Sequence, residues 1–421
     1  MELKYGKSFI ELPDNIASRS INLKLKLINP LSKIEQNIKN ALIAPTSGNS
    51  LRETVKRGER VGIIVNDSTR IARTEIILPF ILEELGQAGV PDDDIFIIFA
   101  EGLHRQTTDA EKVEIVGKEI ASRLKLYNHD AHDSSVLVNV GTTKRGTKVH
   151  INRHIANCDK RIVVGSINYH FFAGFGGGHK SIVPGLAGAE TIKSNHSLML
   201  DSKARLGNLR DNPVHEDLKE AASIVGCDFM INVVLNENKE ILAIFSGDID
   251  EAHKEGCDYV ADVYGVEINE LGDIVIASCG GYPKDINVYQ AQKTLENASQ
   301  AAKSGGSIIL VAKCSEGAGS EKYLDWARKY KTLSEIEKAL KADFQMGGHK
   351  AFAVSRVTSS IKVFMLTDLD SNLTTELGFE KCYDIEDVFD DEVKKAIGKP
   401  LIYVMPEGSI TTPIYKPIVT A

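Results

Sequence analysis

Short apolar runs that alternate with helical patterns constrain this chain more than any other feature. Val61-Gly62-Ile63-Ile64-Val65 precedes a polar loop and then a helix-like stretch at 75–85. Ile95-Phe96-Ile97-Ile98-Phe99 precedes Glu101-Gly102-Leu103-His104 and a helix from about Asp109. A third run, 162–167, precedes a glycine-rich loop and a helix around 186–194. Continuous apolar strands alternating with helices predict a parallel sheet buried on both faces. The segment 134–151 alternates in polarity and contains Gly146, which reads as a hairpin beside that sheet.

A second series starts near residue 272. Asp273-Ile274-Val275-Ile276-Ala277-Ser278 reads as a strand, then come Gly280-Gly281-Tyr282-Pro283 and a helix from about Val288. Strands at 307–312, 362–366 and 401–405 and helices across 320–342, 350–359 and 385–397 complete the series. The reading is therefore an α/β protein of two α/β domains with mainly parallel sheets and an interdomain active-site cleft. The expected domains are 1–266, which would bind the cofactor, and 272–400, with a helix at about 250–264 as connector. The final strand and tail, 401–421, could return to the N-terminal domain. At ~100–200 residues per domain, 421 residues suit two or three such bodies.

Composition excludes several classes. Hydrophobic content is 43% and charged content 26%, as in an ordinary globular enzyme. The net charge of −8 lacks the basic footprint of a nucleic-acid binder. No apolar run reaches the ~18 residues of a membrane span. The start, Met1-Glu2-Leu3-Lys4-Tyr5, has no signal-peptide pattern. Six scattered cysteines without C-x-x-C argue against a disulfide framework or a zinc ribbon. A cytoplasmic location is expected, with no nucleic-acid or membrane partner.

Ligands of open α/β sheets bind outside the carboxyl ends of the strands. Here those ends deliver Asp67-Ser68-Thr69-Arg70, then His104 and Arg105, then His170 with the glycine loop. The second series delivers Tyr289, Gln290 and Lys293, whose i,i+3 and i,i+4 spacings place them on one helix face. Each residue also has a plain structural use. Asp67 or Thr69 could cap a helix, Arg70 could form a surface ion pair, and Tyr289, Gln290 and Lys293 could be a solvated face. Asn128, His129, Asp130, His132 and Asp133 resemble a metal cluster but read better as a polar turn.

The densest window is Tyr169-His170-Phe171-Phe172-Ala173-Gly174-Phe175-Gly176-Gly177-Gly178-His179-Lys180-Ser181, followed by Pro184-Gly185 and Asn195-His196. Residues 174–181 resemble a P-loop, except that His179 stands where a glycine must precede the lysine. That departure argues against a polyphosphate site, while a cradle for a single phosphate stays open. Lys180 could contact phosphate, act as a base or form a covalent link. Burial in an apolar, glycine-rich loop would make its amine nucleophilic.

Taken together and in order, these motifs resemble the nickel-pincer lactate racemase family of 2-hydroxyacid racemases and epimerases. The resemblance rests on Asp67-Ser68-Thr69-Arg70, Gly102-Leu103-His104-Arg105, 170–175, 178–181 with Pro184-Gly185, Asn195-His196, and Gly280-Gly281-Tyr282-Pro283 leading to 289–293. It implies an isomerase of a lactate-like, malate-like or sugar 2-hydroxyacid. It also implies a nickel(II) pyridinium-3,5-bisthiocarboxylate mononucleotide, covalently attached through Lys180 and supplied by cofactor-biosynthesis proteins. By the same resemblance His196 is the metal ligand, and Asp67, Ser68, Thr69, Arg70, Gly176, Gly177 and Pro184 line the cofactor. His104 and His170 are the paired acid/base histidines, and the α-hydrogen leaves as hydride to the cofactor. Arg70, Tyr289, Gln290 and Lys293 hold the substrate. The alternative is a nucleotide-dependent enzyme that uses the glycine-rich loop as a phosphate cradle.

One departure bears on the substrate. Family members that act on lactate commonly carry proline after the arginine of the first motif, whereas this chain has Ile71-Ala72-Arg73. Arg73 is either an extra charge near the pocket or a solvent-facing group. Gly347-Gly348-His349-Lys350 either serves substrate choice or domain closure, or is simply a helix start.

Overall fold

The computed structural model describes residues 1–345 and 347–417. Its contacts divide the chain into two units, Ile28–Ala261 and the combination of Met1–Leu27 with Asp262–Ala421. The larger unit carries a six-stranded sheet of β1 (Val61–Asn66), β2 (Ile95–Ala100), β3 (Lys125–Tyr127), β4 (Lys160–Ser166), β5 (Phe229–Leu235) and β6 (Ile241–Gly247). Their spatial order is β6-β5-β4-β1-β2-β3. All pairs are parallel except β5–β6. The chain steps outward from β1 to β2 and β3, then jumps back to lay β4 on the other side of β1. That reversal is a topological switch point, where crossover loops part and leave a crevice.

The apolar runs follow from burial on both faces. Ile63, Val65, Ile97, Phe99, Ile162 and Val164 pack into one core with Ile77, Leu78, Ile81 and Leu85 of helix α1 (Thr74–Gln87). Ile64, Ile98 and Val163, which alternate with them and so point to the other face, are buried as well. Helix α2 (Asp109–Val116) opens on a capping box of Thr108 and Glu111. Helices α3 (Ala189–Ser197), α4 (Pro213–Val225) and α5 (Ile249–Tyr264) complete the parts that matter for the site. The expected hairpin is Leu137–Thr142 with Lys148–Asn152, paired antiparallel. Strands β5 and β6 and helix α4 were not anticipated.

The smaller unit has its own six-stranded, all-parallel sheet. It comprises β7 (Gly272–Ser278), β8 (Ala302–Val311), β9 (Lys362–Leu366), β10 (Glu380–Cys382), β11 (Ile402–Met405) and the short strand Ile21–Asn22. The order is β10-β9-β8-β7-β11 and then Ile21–Asn22. Helices α6 (Val288–Ser299) and α7 (Gly348–Thr358) belong here.

The expected boundaries need correction. Strand 401–405 joins β7 in the smaller unit, and the first 27 residues fold there too, not with 28–261. The cause is apolar burial. Leu3, Leu12 and Ile16 lie in one core with Ile276 and Val404. Tyr282 N–H also donates to the Gly6 carbonyl at 2.7 Å, so the Gly280–Pro283 motif docks the N-terminal hairpin of Glu2–Tyr5 and Ser8–Glu11. All six cysteines are free thiols. Among the described residues, no helix is long and apolar enough to cross a membrane.

Leu3→Ala should cost about 2–4 kcal/mol, as for other fully buried leucines. Hydrogen exchange should quicken in β7 and β11 and stay unchanged in β1 and β2. Equal acceleration in β1 would contradict the assignment of the N-terminus.

Candidate active site at the carboxyl ends of the larger sheet

β1 lies between β4 and β2, and its register aligns Val65 with Val164 on one side and Phe99 on the other. The three following loops therefore leave one edge side by side. The first carries Asp67, which is buried, while Ser68, Thr69 and Arg70 are exposed. Asp67 Oδ1 accepts from the Thr69 N–H at 2.9 Å and the Thr69 hydroxyl at 2.6 Å. Its Oδ2 meets His104 Nδ1, from the loop after β2, at 2.6 Å. Burial opposes ionisation of Asp67, but the bonds from His104 and Thr69 outweigh it and hold the carboxyl below its ordinary range. Because a carboxylate only accepts, His104 must carry its proton on Nδ1, which leaves Nε2 as the basic nitrogen.

The His104 loop is braced from beneath. Glu101 is buried and takes the backbone N–H groups of Thr107 and His129 on its two oxygens. Burial raises its carboxyl. Gly102 N–H donates to the Gly185 carbonyl at 2.8 Å, which fastens this loop to the Pro184-Gly185 turn.

The third loop converges on one ring. Phe172, only 3% exposed, lies 4.5 Å from the His170 ring, 5.0 Å from the His196 ring and 5.4 Å from Lys180 Nζ. Asn212 Nδ2 anchors the Phe172 carbonyl at 2.9 Å. His170 stacks on Phe171, and its Nδ1 accepts from the Ala173 N–H at 3.3 Å. Burial, with the nearby charge of Arg70, brings the Lys180 amine down to about 7. A lysine half-neutral near pH 7 is a competent nucleophile.

The glycines serve the loop itself. A Cβ on Gly176 would stand 2.5 Å from Asn168 Oδ1. One on Gly177, whose φ is +76°, would stand 2.7 Å from both Asn232 Oδ1 and the Ser166 carbonyl. The N–H groups of Gly176, Gly178 and Lys180 bond to the Asn168 carbonyl, Asn232 Oδ1 and the Gly177 carbonyl. Residues Gly178–Ser181 form a single 3-10 turn, and α3 begins only at Ala189. A P-loop needs free, converging N–H groups at the start of a helix. Here three of the loop's N–H groups are engaged within the protein and no α-helix starts directly after Lys180, which argues against the polyphosphate reading. His179 is fixed by Asp250 at 2.8 Å and lies under the loop beside His215 and His253.

Other expected residues have partners of their own. Ser68 Oγ donates to Glu111 at 3.1 Å, and Arg105 forms a fork on Glu111 at 2.6 and 2.8 Å. Arg73 bonds Glu75 at 2.8 Å and the Lys239 carbonyl at 2.9 Å, so its charge is committed at the start of α1. The 128–133 segment is a turn. His129 is buried, donates from Nε2 to the Ala187 carbonyl, and is held neutral by burial. In the smaller unit, Lys293 Nζ bonds Gln290 Oε1 at 3.0 Å on the accessible side of α6, and Tyr289 stands over Lys350 Nζ at 4.5 Å. Lys350 also donates to Gln292 at 2.8 Å, and both are buried, so Gly347–Lys350 starts a packed helix.

Phe172, Asn232, His253 and Asn212 escaped sequence reasoning. His253 Nε2 donates to the Gly176 carbonyl at 2.9 Å from 77 residues away. No local pattern announces such a partner. The crowding of aromatics around His170 was the only signal for Phe172.

A histidine–aspartate pair, a second histidine and a lysine brought down to about 7, gathered at the switch point of the larger sheet, mark a candidate enzyme site. Family models for the lactate racemase N-terminal domain and the lactate racemase C-terminal domain match residues 5–207 and 268–411. The chain is 36% identical over 342 residues to a lactate racemase from Lactiplantibacillus plantarum, covering 80% of this chain and 78% of that one. It is 32% identical over 376 residues to a lactate racemase from Thermoanaerobacterium thermosaccharolyticum, covering 87% and 88%. The structure of the lactate racemase apoprotein from the latter organism superposes with a TM-score of 0.88 at 30% identity, over 98% of this chain and 99% of that one. A Thermotoga maritima protein at 19% identity and TM-score 0.66 shares the fold. The chain belongs to the lactate racemase family and is an isomerase.

Labelling by an amine-reactive acylating reagent, followed by peptide mass analysis, should show Lys180 reacting with a midpoint near pH 7. The neutral amine grows as pH rises through that value. Arg70→Met, which removes the neighbouring charge, should move the midpoint upward. A Lys180 midpoint near 10 would refute the assignment.

Proposed function

We propose that this enzyme inverts the chiral centre of a lactate-type 2-hydroxyacid. The observation that carries the reading is the convergence of His170, Lys180 and His196 on Phe172, at the edge where Asp67 fixes His104. The residues fit the cofactor of the resemblance. Lys180 offers a neutral amine for a thioamide tether, and His196 offers an imidazole, which suits nickel(II). Asp67, Ser68, Thr69, Arg70 and Pro184 line it, with Gly176 and Gly177 shaping the loop alongside. When bound, that nickel-pincer nucleotide supplies a two-electron acceptor for the substrate's α-hydrogen.

The two histidines are set in complementary states. His104 holds its proton on Nδ1 towards Asp67, so Nε2 takes the substrate hydroxyl proton, and Asp67 stabilises the imidazolium that forms. His170 receives the Ala173 N–H on Nδ1, so its neutral ring carries the proton on Nε2; it serves as the acid from its imidazolium form and is neutral again once it has given a proton to the substrate oxygen. One turnover thus exchanges the roles of base and acid, as two enantiomers presenting the hydroxyl differently require. Arg70 and Lys293 supply positive charge for the carboxylate and the polarised carbonyl oxygen, with Gln290 and Tyr289 as further substrate contacts.

The committed charge of Arg73 leaves Arg70 as the first loop's cation for the substrate. That supports a monocarboxylate such as lactate over a second-acid substrate such as malate. Six free thiols agree with a cytoplasmic enzyme.

Holoenzyme made alongside a cofactor-synthesis pathway should interconvert lactate enantiomers on chiral chromatography. His104→Ala and His170→Ala should each lower kcat by at least about 100-fold while keeping nickel. Lys180→Ala should lose the covalent mass. Full activity in either histidine variant would sink the two-base scheme.

A further inference from the structure

The geometry points to Asn195 as the residue that sets the tautomer of His196 and so presents its Nε2 lone pair to the metal. The inference rests on the reading of His196 as the nickel ligand and names the positioning residue behind it.

Asn195 precedes His196 on α3 and is fully buried. Its Nδ2 lies 3.0 Å from the Val214 carbonyl and 3.0 Å from Asp217 Oδ2, both on α4. A backbone carbonyl can only accept, so the nitrogen of the amide must face α4. The amide oxygen must then face the other way, and Oδ1 lies 3.2 Å from His196 Nδ1. An oxygen there can only accept, so His196 carries its proton on Nδ1. In the neutral ring the lone pair is therefore on Nε2.

The amide cannot easily turn over. Asp217 is itself fully buried, and takes the Thr143 hydroxyl on Oδ1 at 2.6 Å and the Thr147 hydroxyl on Oδ2 at 3.0 Å. Thr147 also meets Ser194 Oγ at 3.0 Å. The hairpin, α3 and α4 are thus locked by one polar cluster, from which the Asn195 oxygen reaches His196. An apolar side chain would fill this space without the desolvation of an amide. The amide is explained by its two ends, a donor end for α4 and an acceptor end for His196. Metal-binding histidines generally need such a partner on the second nitrogen, and its loss typically weakens metal affinity 10–100-fold.

The test has two parts. Long-range proton–nitrogen NMR of histidine-labelled apoprotein, with His196 assigned from a His196→Gln spectrum, should show the Nδ1–H tautomer. Finding Nε2–H there overturns the proposal without any variant. In holoenzyme, Asn195→Ala should keep the covalent adduct by intact mass but lose nickel to a chelator about 10–100-fold faster. Asn195→Asp keeps an acceptor towards His196 and should retain nickel far better, even if it melts earlier. A purely structural role for Asn195 would make the two variants lose nickel alike, in step with stability, and would refute the proposal. Retention of nickel by His196→Ala would bring down the ligand assignment itself, and the proposal with it.

Discussion

The reversal of strand order between β1 and β4 is the constraint from which the reactive edge of the larger unit follows. Parallel pairing puts the carboxyl ends of β2, β1 and β4 in one row. The reversal makes the loops after β1 and β4 diverge, so a crevice opens between Asp67-Ser68-Thr69-Arg70 and the His170 loop. His104 enters from the neighbouring strand and reaches Asp67 at 2.6 Å.

Within that crevice, apolar packing and electrostatics act together. Phe172 lies beside the Lys180 amine and gives His170 and His196 a common wall. Loss of water destabilises the ammonium form, and the Arg70 charge adds to the effect. Around this small apolar centre the hydrogen-bonding partners of the histidines are assigned one by one. His104 faces Asp67, His170 faces a backbone N–H, and His196 faces an amide oxygen. Each partner selects which ring nitrogen holds the proton, so three chemically equal side chains are set in tautomers by their surroundings.

Much of this was legible in the sequence because it is local. The runs 61–65, 95–99 and 273–278 announced themselves by continuous apolar character, and helices 250–264 and from 288 by their helical pattern. The motifs after the strands could be placed because loops follow strands in order. β5 and β6 were missed although both are apolar, since nothing local marks where they pair. The N-terminal hairpin was put in the wrong unit because its partners, Ile276 and Val404, lie hundreds of residues away. The glycine loop suggested a ligand cradle, yet its missing Cβ atoms make room for Asn168 and Asn232.

The sequence by itself determined the α/β class, the succession of strand, loop and helix, and the candidates for the reactive residues, because short-range periodicity and residue chemistry encode them. Only the tertiary structure decided which nitrogen of each histidine is basic, why the Lys180 amine is brought down to about 7, and that Arg73 is committed elsewhere. Those properties depend on burial and on partners that distant segments bring within about 3 Å. Spacing along a chain carries no record of them.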